Sequence, residues 1–474
     1  MGAPISSTAQ RDFSRGVYSD VNPVIAPSNS VRHAINFVFD TEYGSAKVRD
    51  GSTIIGSQLV GGDNSILGMH NFRDRDNGNH TLLAGVNGTI FNVATGASLR
   101  TSMSTSAVMR FETYLGEVVV QNGVDAPLAF NGSGSFTAST ALNTGGMPTG
   151  IDVLGYKDRI WILQADGTLR GSSIPASPNF NTISWTSGNK TIPIDPDQSS
   201  YAGDAIGLAK ISGLLLIFKE RALYTFNGSA TQSDFLYNVG CSSIRSIATG
   251  AGMVFFFNPD GIWVTQGSQP IRISRPVQAY LEGMSSSNYA SVASHANGKY
   301  LWVSIGDVTI DLTTYNNVVL RYSLATQEWA VLSFPNRLTA FSMYIDGTAI
   351  KTAYGDSTAR VYTHEGTTDN STAIPFELIT HEQEFGSLGT QKDVHGKVMV
   401  YSKNSTDMEI QISVDEGDFE TIGVAKKVVE DIPINTPLIG NTFALRVIGS
   451  STGEPPIFKG YEFPSVTALN YGVI

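Results

Sequence analysis

Two aspartates separated by one residue are the first groups in this chain whose spacing could do chemistry. Asp195 and Asp197 stand in the segment "PIDPDQSS". Oxygen ligands at alternate positions suit a hard cation, and a pair of carboxylates is also what hydrolysis of a glycosidic bond requires. The glycine and distal glutamate of a recognisable calcium loop do not follow this pair. The pattern therefore favours a solvated, proline-containing loop over a metal site.

The histidines and the single cysteine offer no second cluster. The histidines are His33, His70, His80, His295, His364, His381 and His395. No two of them have the i, i+4 spacing that places two imidazoles on one helix face for zinc. Cys241 has no histidine or other base beside it in sequence, so we predict a buried core residue rather than a reactive thiol. We predict no catalytic residue, no metal ligand and no cofactor.

Residues 413–419, "SVDEGDF", resemble the Asp-box hairpin of sialidases and related propellers. In those proteins the motif is a structural turn whose carboxylate accepts backbone N–H bonds. Ser413, Asp415 and Gly417 are the matching positions here. The motif occurs once, and the arginines that a sialidase needs for its substrate carboxylate are scattered along this chain. We therefore predict a structural hairpin here and no sialidase activity.

Composition indicates which elements must carry these residues. Of the 474 residues, 41% are hydrophobic, 15% are charged and 48 are glycine, which is typical of turn-rich β structure. The net charge of −11 argues against a general nucleic-acid-binding surface, which depends on clustered Lys and Arg. From Ile374 onward 7 basic residues face 14 acidic ones, a net of −7 that leaves −4 for the residues before it. No run approaches the ~18 apolar residues of a membrane span.

A hairpin pattern recurs seven times between residues 80 and 366. Its clearest copy is "GLLLIFKERALYTFNG" at 213–228, a continuous apolar run followed by a polar turn and an alternating run. The other copies lie around Leu82, Val118, Ile160, Val254, Leu301 and Thr352. The spacing of about 35 to 55 residues is the range in which a four-stranded propeller blade fits.

The turns and runs of these copies predict an all-β protein containing a six- or seven-bladed β-propeller, which we favour over a β-sandwich series or a β-solenoid. Positive φ at the turns can come from Asn87-Gly88, Asp166-Gly167, Asn227-Gly228 and Asp260-Gly261. The continuous run of each copy predicts a strand packed on both faces, and the alternating run predicts an outer strand that is wet on one face. The region from Ala46 to Ile55 could supply a strand that completes the last blade and closes the ring.

The remaining segments complete the predicted division of the chain. Only "SRPVQAYLEGM" has helical spacing, with Pro276 suited to a first turn. From about Ile374 a different set of alternating strands predicts a small antiparallel β-sandwich. We predict an N-terminal arm and strand at 1–45, the β-propeller at 46–373 and an acidic C-terminal β domain at 374–474.

The order of these elements resembles the tail hub or nozzle proteins of short-tailed bacteriophages, which include the packaged-DNA stabilisation proteins. The likeness covers nearly the whole chain. It rests on the segments "GSAKVRDGS", "LLLIFKERALYTFNG", "PDGIWVTQGSQPIRISRPVQAYL" and "NNVVLRYSLATQEW", followed by the acidic domain that contains "ISVDEGDFE".

The resemblance implies a virion structural protein, assembled in the host cytoplasm, that forms a homo-oligomeric ring, commonly a hexamer. The lumen of that ring would continue the DNA channel below the portal and adaptor, and its lower end would carry distal tail proteins. An acidic, lysine-poor chain is compatible with this role, because DNA would pass without being gripped and its retention would be steric. The sequence identifies no channel-lining residue and no membrane partner.

Two other classes of function remain open on the sequence. A carbohydrate- or receptor-binding propeller would use exposed aromatic rings such as Trp185, Trp263 or Trp329 to stack on sugars, although these residues fit blade cores equally well. A glycosidase-like propeller would use a carboxylate pair.

Overall fold

The computed structural model describes residues 4–5, 8–19, 26–39, 44–138, 146–194, 199–211, 213–384, 390–404 and 407–469. The aspartate pair Asp195 and Asp197 lies outside these residues. Strands dominate the described part of the chain, and the all-β prediction is confirmed. The two α-helices in it are short: α1 (Ser199–Ala202) and α2 (Gln278–Glu282).

Six short strands open the chain and serve two different parts of the molecule. They are β1 (Pro4–Ile5), β2 (Thr8–Gln10), β3 (Val31–Ile35), β4 (Phe37–Val38), β5 (Ala46–Val48) and β6 (Ser52–Ile54). The first five belong to sheets that the last hundred residues build, whereas β6 belongs to a sheet of the central part.

Seven four-stranded antiparallel sheets follow one another within the described residues. Sheet by sheet, the strands are β7 (Ile66–Arg73), β8 (His80–Val86), β9 (Thr89–Asn92) and β10 (Ser98–Arg100); β11 (Arg110–Tyr114), β12 (Glu117–Gln121), β13 (Leu128–Phe130) and β14 (Thr137–Ala138); β15 (Asp152–Tyr156), β16 (Arg159–Leu163), β17 (Thr168–Gly171) and β18 (Lys190–Pro193); β19 (Ala205–Ile211), β20 (Leu214–Lys219), β21 (Leu223–Phe226) and β22 (Asp234–Tyr237); β23 (Ala248–Gly250), β24 (Met253–Asn258), β25 (Gly261–Thr265) and β26 (Ile271–Arg272); β27 (Ala293–Ala296), β28 (Tyr300–Ile310), β29 (Thr313–Ser323) and β30 (Trp329–Ser333); and β31 (Leu338–Asp346), β32 (Ala349–Asp356) and β33 (Val361–His364) with β6.

These seven sheets form a closed succession, called the ring below. The first strand of each sheet contacts the first strand of the next, and β31 of the seventh sheet contacts β7 of the first. The approach is close: a Cβ on Gly68 of β7 would lie 2.1 Å from the carbonyl oxygen of Met109, which precedes β11. Only a residue without a side chain fits there, since real Cβ atoms do not come so near to backbone.

The seven hairpins found in the sequence are the second and third strands of the seven sheets. The copy at 213–228 forms β20 and β21, with Leu215 opposite Phe226, and the other six copies occupy the same place in their sheets. At the first turn both Asn87 and Gly88 have positive φ, at 46° and 72°, as predicted.

The prediction that the alternating strand of each copy would be half wet is wrong for the 213–228 copy. In β21 only Thr225 is not fully buried, because Tyr224 and Phe226 pack against the third sheet and Leu223 packs against the fifth. The wet strand is the fourth one, β22, which has no buried residue. The alternation in sequence therefore marked a strand packed on unequal faces, not a strand at the edge.

The last hundred residues, together with β1–β5, build two sheets that we call the end unit. The additional strands are β34 (Ile374–Thr380), β35 (Lys392–Lys403), β36 (Met408–Val414), β37 (Glu420–Ala425), β38 (Val429–Gly440), β39 (Phe443–Ser451), β40 (Ile457–Phe463) and β41 (Val466–Ala468). One sheet runs β1-β41-β35-β40-β5-β4, with β2 also on β40 and β38 also on β35. The other runs β3-β34-β39-β36-β37.

The region from Ala46 to Ile55 is divided between the two parts. Ser52–Ile54 pairs with β33, with Thr53 opposite Thr363, and so completes the seventh sheet of the ring. Ala46–Val48 pairs with β4 and β40 in the end unit. The strands before β6 thus lie in the sheets of the end unit, while the ring begins at β6.

The helical prediction near Pro276 is confirmed. A 3₁₀ turn at Arg275–Val277 leads directly into α2 at Gln278–Glu282. The apolar side chains of Val277, Tyr280, Leu281 and Met284 are buried. This short element packs against β28 and shares one hydrophobic core with the sixth sheet and the end unit.

Candidate interaction surface

The Asp-box-like hairpin connects β36 with β37, at the outside of the end unit. Oδ1 of Asp415 accepts hydrogen bonds from the backbone N–H groups of Asn441 (2.7 Å) and Thr442 (2.9 Å). The Ser413 hydroxyl donates to the carbonyl oxygen of Gly417 at 2.6 Å. The Asp415 carboxylate therefore ties this hairpin to the turn between β38 and β39, which is a structural use of the acid.

The structure brings together one polar cluster that sequence reasoning missed. A cavity of about 320 Å³ between the ring and the end unit is lined by Tyr280, His33, Glu377 and Arg446 among others. The Tyr280 hydroxyl lies 2.7 Å from Nδ1 of His33, and Arg446 donates from Nε to Glu377 at 2.7 Å. No periodicity could have shown this cluster, because its members come from α2, β3, β34 and β39.

The electrostatics of this cluster suit a fixed contact. Burial by itself raises the pKa of the Glu377 carboxyl, but the hydrogen bonds and charges of His33 and Arg446 outweigh it, so the net pKa is lowered. Burial raises the pKa of Tyr280 well above its usual value, so its hydroxyl stays protonated beside His33. The cluster joins the helix of the ring to three strands of the end unit.

A second polar contact closes the same junction on the side of β6. Arg49 is fully buried and donates from Nη1 and Nη2 to the two oxygens of Asp369, at 2.9 and 2.5 Å. The Asp369 carboxylate also accepts from Ser52 of β6 at 2.7 Å. Arg49 further donates to the carbonyl oxygen of Ser333 in β30, at 2.7 Å. The closing strand, the sixth sheet and the end unit thus meet at one guanidinium.

The end unit has two adjoining sheet edges at residues 420–440, called the open edge below. Within the described strands, β38 pairs only with β35 and β37 only with β36, and the two strands contact each other without pairing. β38 is 12 residues long and has two buried residues, Ile432 and Gly440. Its free side offers backbone carbonyl and N–H groups for pairing, although Pro433 and Pro437 supply no N–H.

Apolar side chains project from this edge into solvent. The exposed fraction is 62% for Val428, 44% for Val429, 38% for Val424 and 49% for Ile439. They alternate with charged groups, including the pair of Lys397 and Asp431 at 2.6 Å. A surface that combines a free strand edge with exposed valine and isoleucine is one that natural proteins usually cover.

The remaining predicted residues lie elsewhere. Cys241 is completely buried between the fourth and fifth sheets, as predicted, and burial raises the pKa of its thiol. Trp185 and Trp329 are buried in cores, and Trp263 is half-buried with Nε1 donating to Asn258 at 2.9 Å. These three rings do not form an exposed platform.

The histidines stay dispersed, and no group of three His, Cys, Asp or Glu residues that could hold a metal is found within the described residues. In that same part of the chain, no helix combines the length and apolar character needed to cross a membrane.

Comparison with known proteins identifies no family for this chain. No family model matches it, and no curated protein matches it. A search of solved structures gives "YCF48 bound to D1 peptide", which is similar to this chain with a TM-score of 0.41 and 12% sequence identity. The match covers 66% of this chain and 98% of that one.

Proposed function

We propose that this protein is a structural, non-catalytic subunit of a bacteriophage tail, a tail hub or nozzle below the portal and adaptor. In this proposal the ring is a seven-bladed β-propeller closed by β6, and the end unit is a β-sandwich. Several copies, with six favoured, assemble around a lumen that extends the DNA channel, helps to close it and retains the packaged DNA until ejection.

The observation that carries this proposal is the open edge of the end unit. A 12-residue strand that is free on one side and exposes Val429 and Ile439 can pair with other chains in a protein that stays alone. In a subunit that is built into a larger assembly, the same edge receives a neighbouring copy or a distal tail protein by strand addition. We assign the open edge to that contact.

The junction between the ring and the end unit supports a role in withstanding mechanical force. Arg49 and the Tyr280–His33 contact join the two parts through buried polar groups that have specific partners. A buried ion pair adds little net stability but fixes one geometry, since a displaced partner leaves an unpaired charge. A subunit that resists the pressure of packaged DNA needs such a fixed junction.

The charge of the chain supports passage of DNA rather than binding of DNA. The net charge is −11, of which −7 falls in the residues from Ile374 onward. A lumen that includes the acidic end unit repels phosphates, and screening at physiological salt confines this repulsion to about 8 Å. DNA therefore moves through without a specific contact.

The proposal is tested by the oligomeric state of the protein, alone and mixed with the portal–adaptor complex of the same virus. Mass photometry and negative-stain imaging should show a circular oligomer of several copies, either with the protein alone or after it is mixed with the complex. Val429→Lys and Ile439→Lys place a charge on the open edge and should abolish the circular oligomer. Val124→Lys is the matched control, because Val124 is 69% exposed on the ring, and it should assemble normally.

A stable monomer that ignores the portal–adaptor complex would overturn the proposal. The same result accompanied by selective binding on a glycan array would favour the carbohydrate-binding alternative instead. Loss of assembly in Val124→Lys to the same degree as in the edge variants would show that the open edge is not the contact.

A further inference from the structure

A polar cavity of about 200 Å³ lies where the first strands of five sheets converge inside the ring. Its walls come from β7, the start of β11, β23, β27 and β31, together with the residues just before them. The first and the last sheet of the ring both contribute, so the cavity spans the point at which the ring closes. Two arginines and one histidine, Arg110, Arg245 and His295, line it.

Arg245 brings an uncompensated charge to this cavity. Its Nη1 reaches the carbonyl oxygen of Thr339 at 3.4 Å, and its Nε is buried with no hydrogen-bond partner among the described residues. Within the same residues no carboxylate lies within ion-pair distance of its guanidinium. Burial lowers the pKa of Arg245, and the charge of Arg337 lowers it further. A guanidinium is nevertheless not deprotonated in proteins, so the charge remains.

Arg110 does not leave a free carboxylate for Arg245. Its Nε donates to Asp152 at 3.0 Å. The Asp152 carboxylate is already shared with the backbone N–H groups of Val153 at 2.9 Å and Leu208 at 2.8 Å. Two guanidinium groups thus line the cavity, and among the described residues only that of Arg110 has a carboxylate partner, so the cavity carries a positive excess.

His295 adds a neutral donor to the same wall. Its ring stacks on Phe341 with an interplanar angle of 6°, and its Nε2 is buried without a partner in the described part of the chain. Burial lowers its pKa to about 4, so the ring is neutral at pH 7 and can offer one N–H. Nε of Arg245 and Nε2 of His295 are thus both buried without a partner among the described residues, and a buried polar atom without a partner is costly.

We propose that this cavity binds a small oxyanion of the size of phosphate. An oxyanion would accept from the guanidinium of Arg245 and from His295, and it would balance the charge of Arg245, with which no carboxylate of the described residues pairs. Charge-assisted hydrogen bonds of this kind are about twice as strong as neutral ones. The volume also fits: it is several times the ~30 Å³ that a water molecule occupies in the liquid and lies below the ~300 Å³ at which pockets for drug-sized ligands begin.

The site has a consequence for the ring that is independent of the tail proposal. Since Arg245 lies in the turn before β23 and His295 on β27, a bound anion would link the fifth sheet to the sixth inside a cavity whose walls include the first and seventh sheets. A ligand that binds only the folded state raises the unfolding temperature in proportion to the logarithm of its concentration.

The test uses inorganic phosphate and the purified full chain at constant ionic strength, balanced with sodium chloride. We expect saturable binding heat in calorimetry and an unfolding temperature that rises with phosphate. Arg245→Gln should weaken binding about tenfold or more, and Arg245→Lys should restore part of it. His295→Gln is a milder second variant, which serves if Arg245→Gln does not fold. Arg100→Gln is the control, because Arg100 is an exposed residue on β10.

Sulfate in place of phosphate separates the shape of the anion from its identity, and equal binding of both would support an oxyanion site. The proposal is overturned if wild-type protein shows no effect of phosphate beyond that of the matched chloride. It is also overturned if Arg100→Gln loses as much affinity as the variants in the cavity. Neither result depends on oligomer assembly or on a portal–adaptor complex.

Discussion

Arg49 and Asp369 lie 320 residues apart in sequence and meet through two parallel hydrogen bonds in the interior. The side chains are 0% and 3% exposed, so water does not screen the contact. The guanidinium of Arg49 also lies 4.2 Å from the centre of the Phe334 ring. Every face of this cation is occupied, which is the condition under which a burial of charge is tolerated.

Arg49→Met should therefore lower the free energy of unfolding by about 3–5 kcal/mol, because it leaves the Asp369 carboxylate buried and unpaired. Chemical denaturation followed by tryptophan fluorescence measures the change. The control is Lys47→Met, which removes the partly exposed pair of Lys47 and Asp50 at 2.9 Å and should cost at most about 1 kcal/mol. Equal losses in the two variants would contradict the assignment of Arg49 as the cation that holds the junction.

Gly68→Ala should destabilise the contact between the first two sheets. The new Cβ would lie 2.1 Å from a backbone oxygen that cannot move away as a side-chain end would, and overpacking of this kind costs about 1–3 kcal/mol. Gly61→Ala is a matched control, since a Cβ there meets nothing within 4 Å. The melting temperatures of the two variants measure the difference. A Gly68 variant as stable as the Gly61 variant would show that the sheets do not approach this closely.

Buried histidines should make the protein lose stability in mild acid. His381 is 4% exposed, with the Ser30 hydroxyl 3.0 Å from its Nε2, and burial, followed by the charge of Arg32, lowers its pKa to about 4. The pKa of His381 in the unfolded chain is near 6.5, so as the pH falls the unfolded state binds this proton before the folded state does. The contribution of neutral His381 to the free energy of unfolding is therefore complete above pH 6.5. It is lost as the pH falls towards 4, at up to about 1.4 kcal/mol per pH unit.

Urea denaturation at pH values from 7.5 to 4 measures this slope, and His381→Gln should reduce it. His395→Gln is the control, because the side chain of His395 is 47% exposed. His70 and His295, whose pKa values burial also lowers to about 4, should leave part of the acid sensitivity in the His381 variant. A curve that is flat between pH 7 and 5 in the wild type would contradict the burial of these rings.

Asp415→Ala should detach the Asp-box-like hairpin from the neighbouring turn. Two backbone N–H groups lose their acceptor, a loss comparable with removal of a helix cap, about 1 kcal/mol. Asp418→Ala, in the same loop and exposed, should be neutral. Hydrogen exchange of the amides of Asn441 and Thr442 provides the local readout. Unchanged protection in Asp415→Ala would show that the carboxylate does not hold this turn.

The sequence was most informative where the pattern was local and repeated. The runs that became β8, β12, β16, β20, β24 and β28 are continuous apolar strands, since each has a neighbouring strand on both sides and a sheet on both faces. The Asn87-Gly88 turn was predictable because few residues accept positive φ at two successive positions. The innermost and outermost strands carried too mixed a pattern to be assigned.

Contacts between distant segments were not predictable from a single sequence. Nothing near Thr8 indicates that it will lie opposite Phe463, and Arg49 reads as an ordinary surface charge in "AKVRDG". Arg245 offered one weak signal, a lone cation in the small and apolar run "SSIRSIATG". Whether Arg245 lines a cavity depends on which strands surround it, and these are known only once the ring is closed.

The end unit combines strands from the beginning and the end of the chain, and this imposes an order on the folding of the protein. The ring lies between β5 and β34 in sequence, so its sheets can fold while the ribosome is still translating the rest of the chain. β1, β2 and β3 must wait for β41, β40 and β34. A polypeptide that ended before residue 420 would contain every strand of the ring but neither β37 nor β38, so it would lack the surface by which, in our proposal, the protein is recruited.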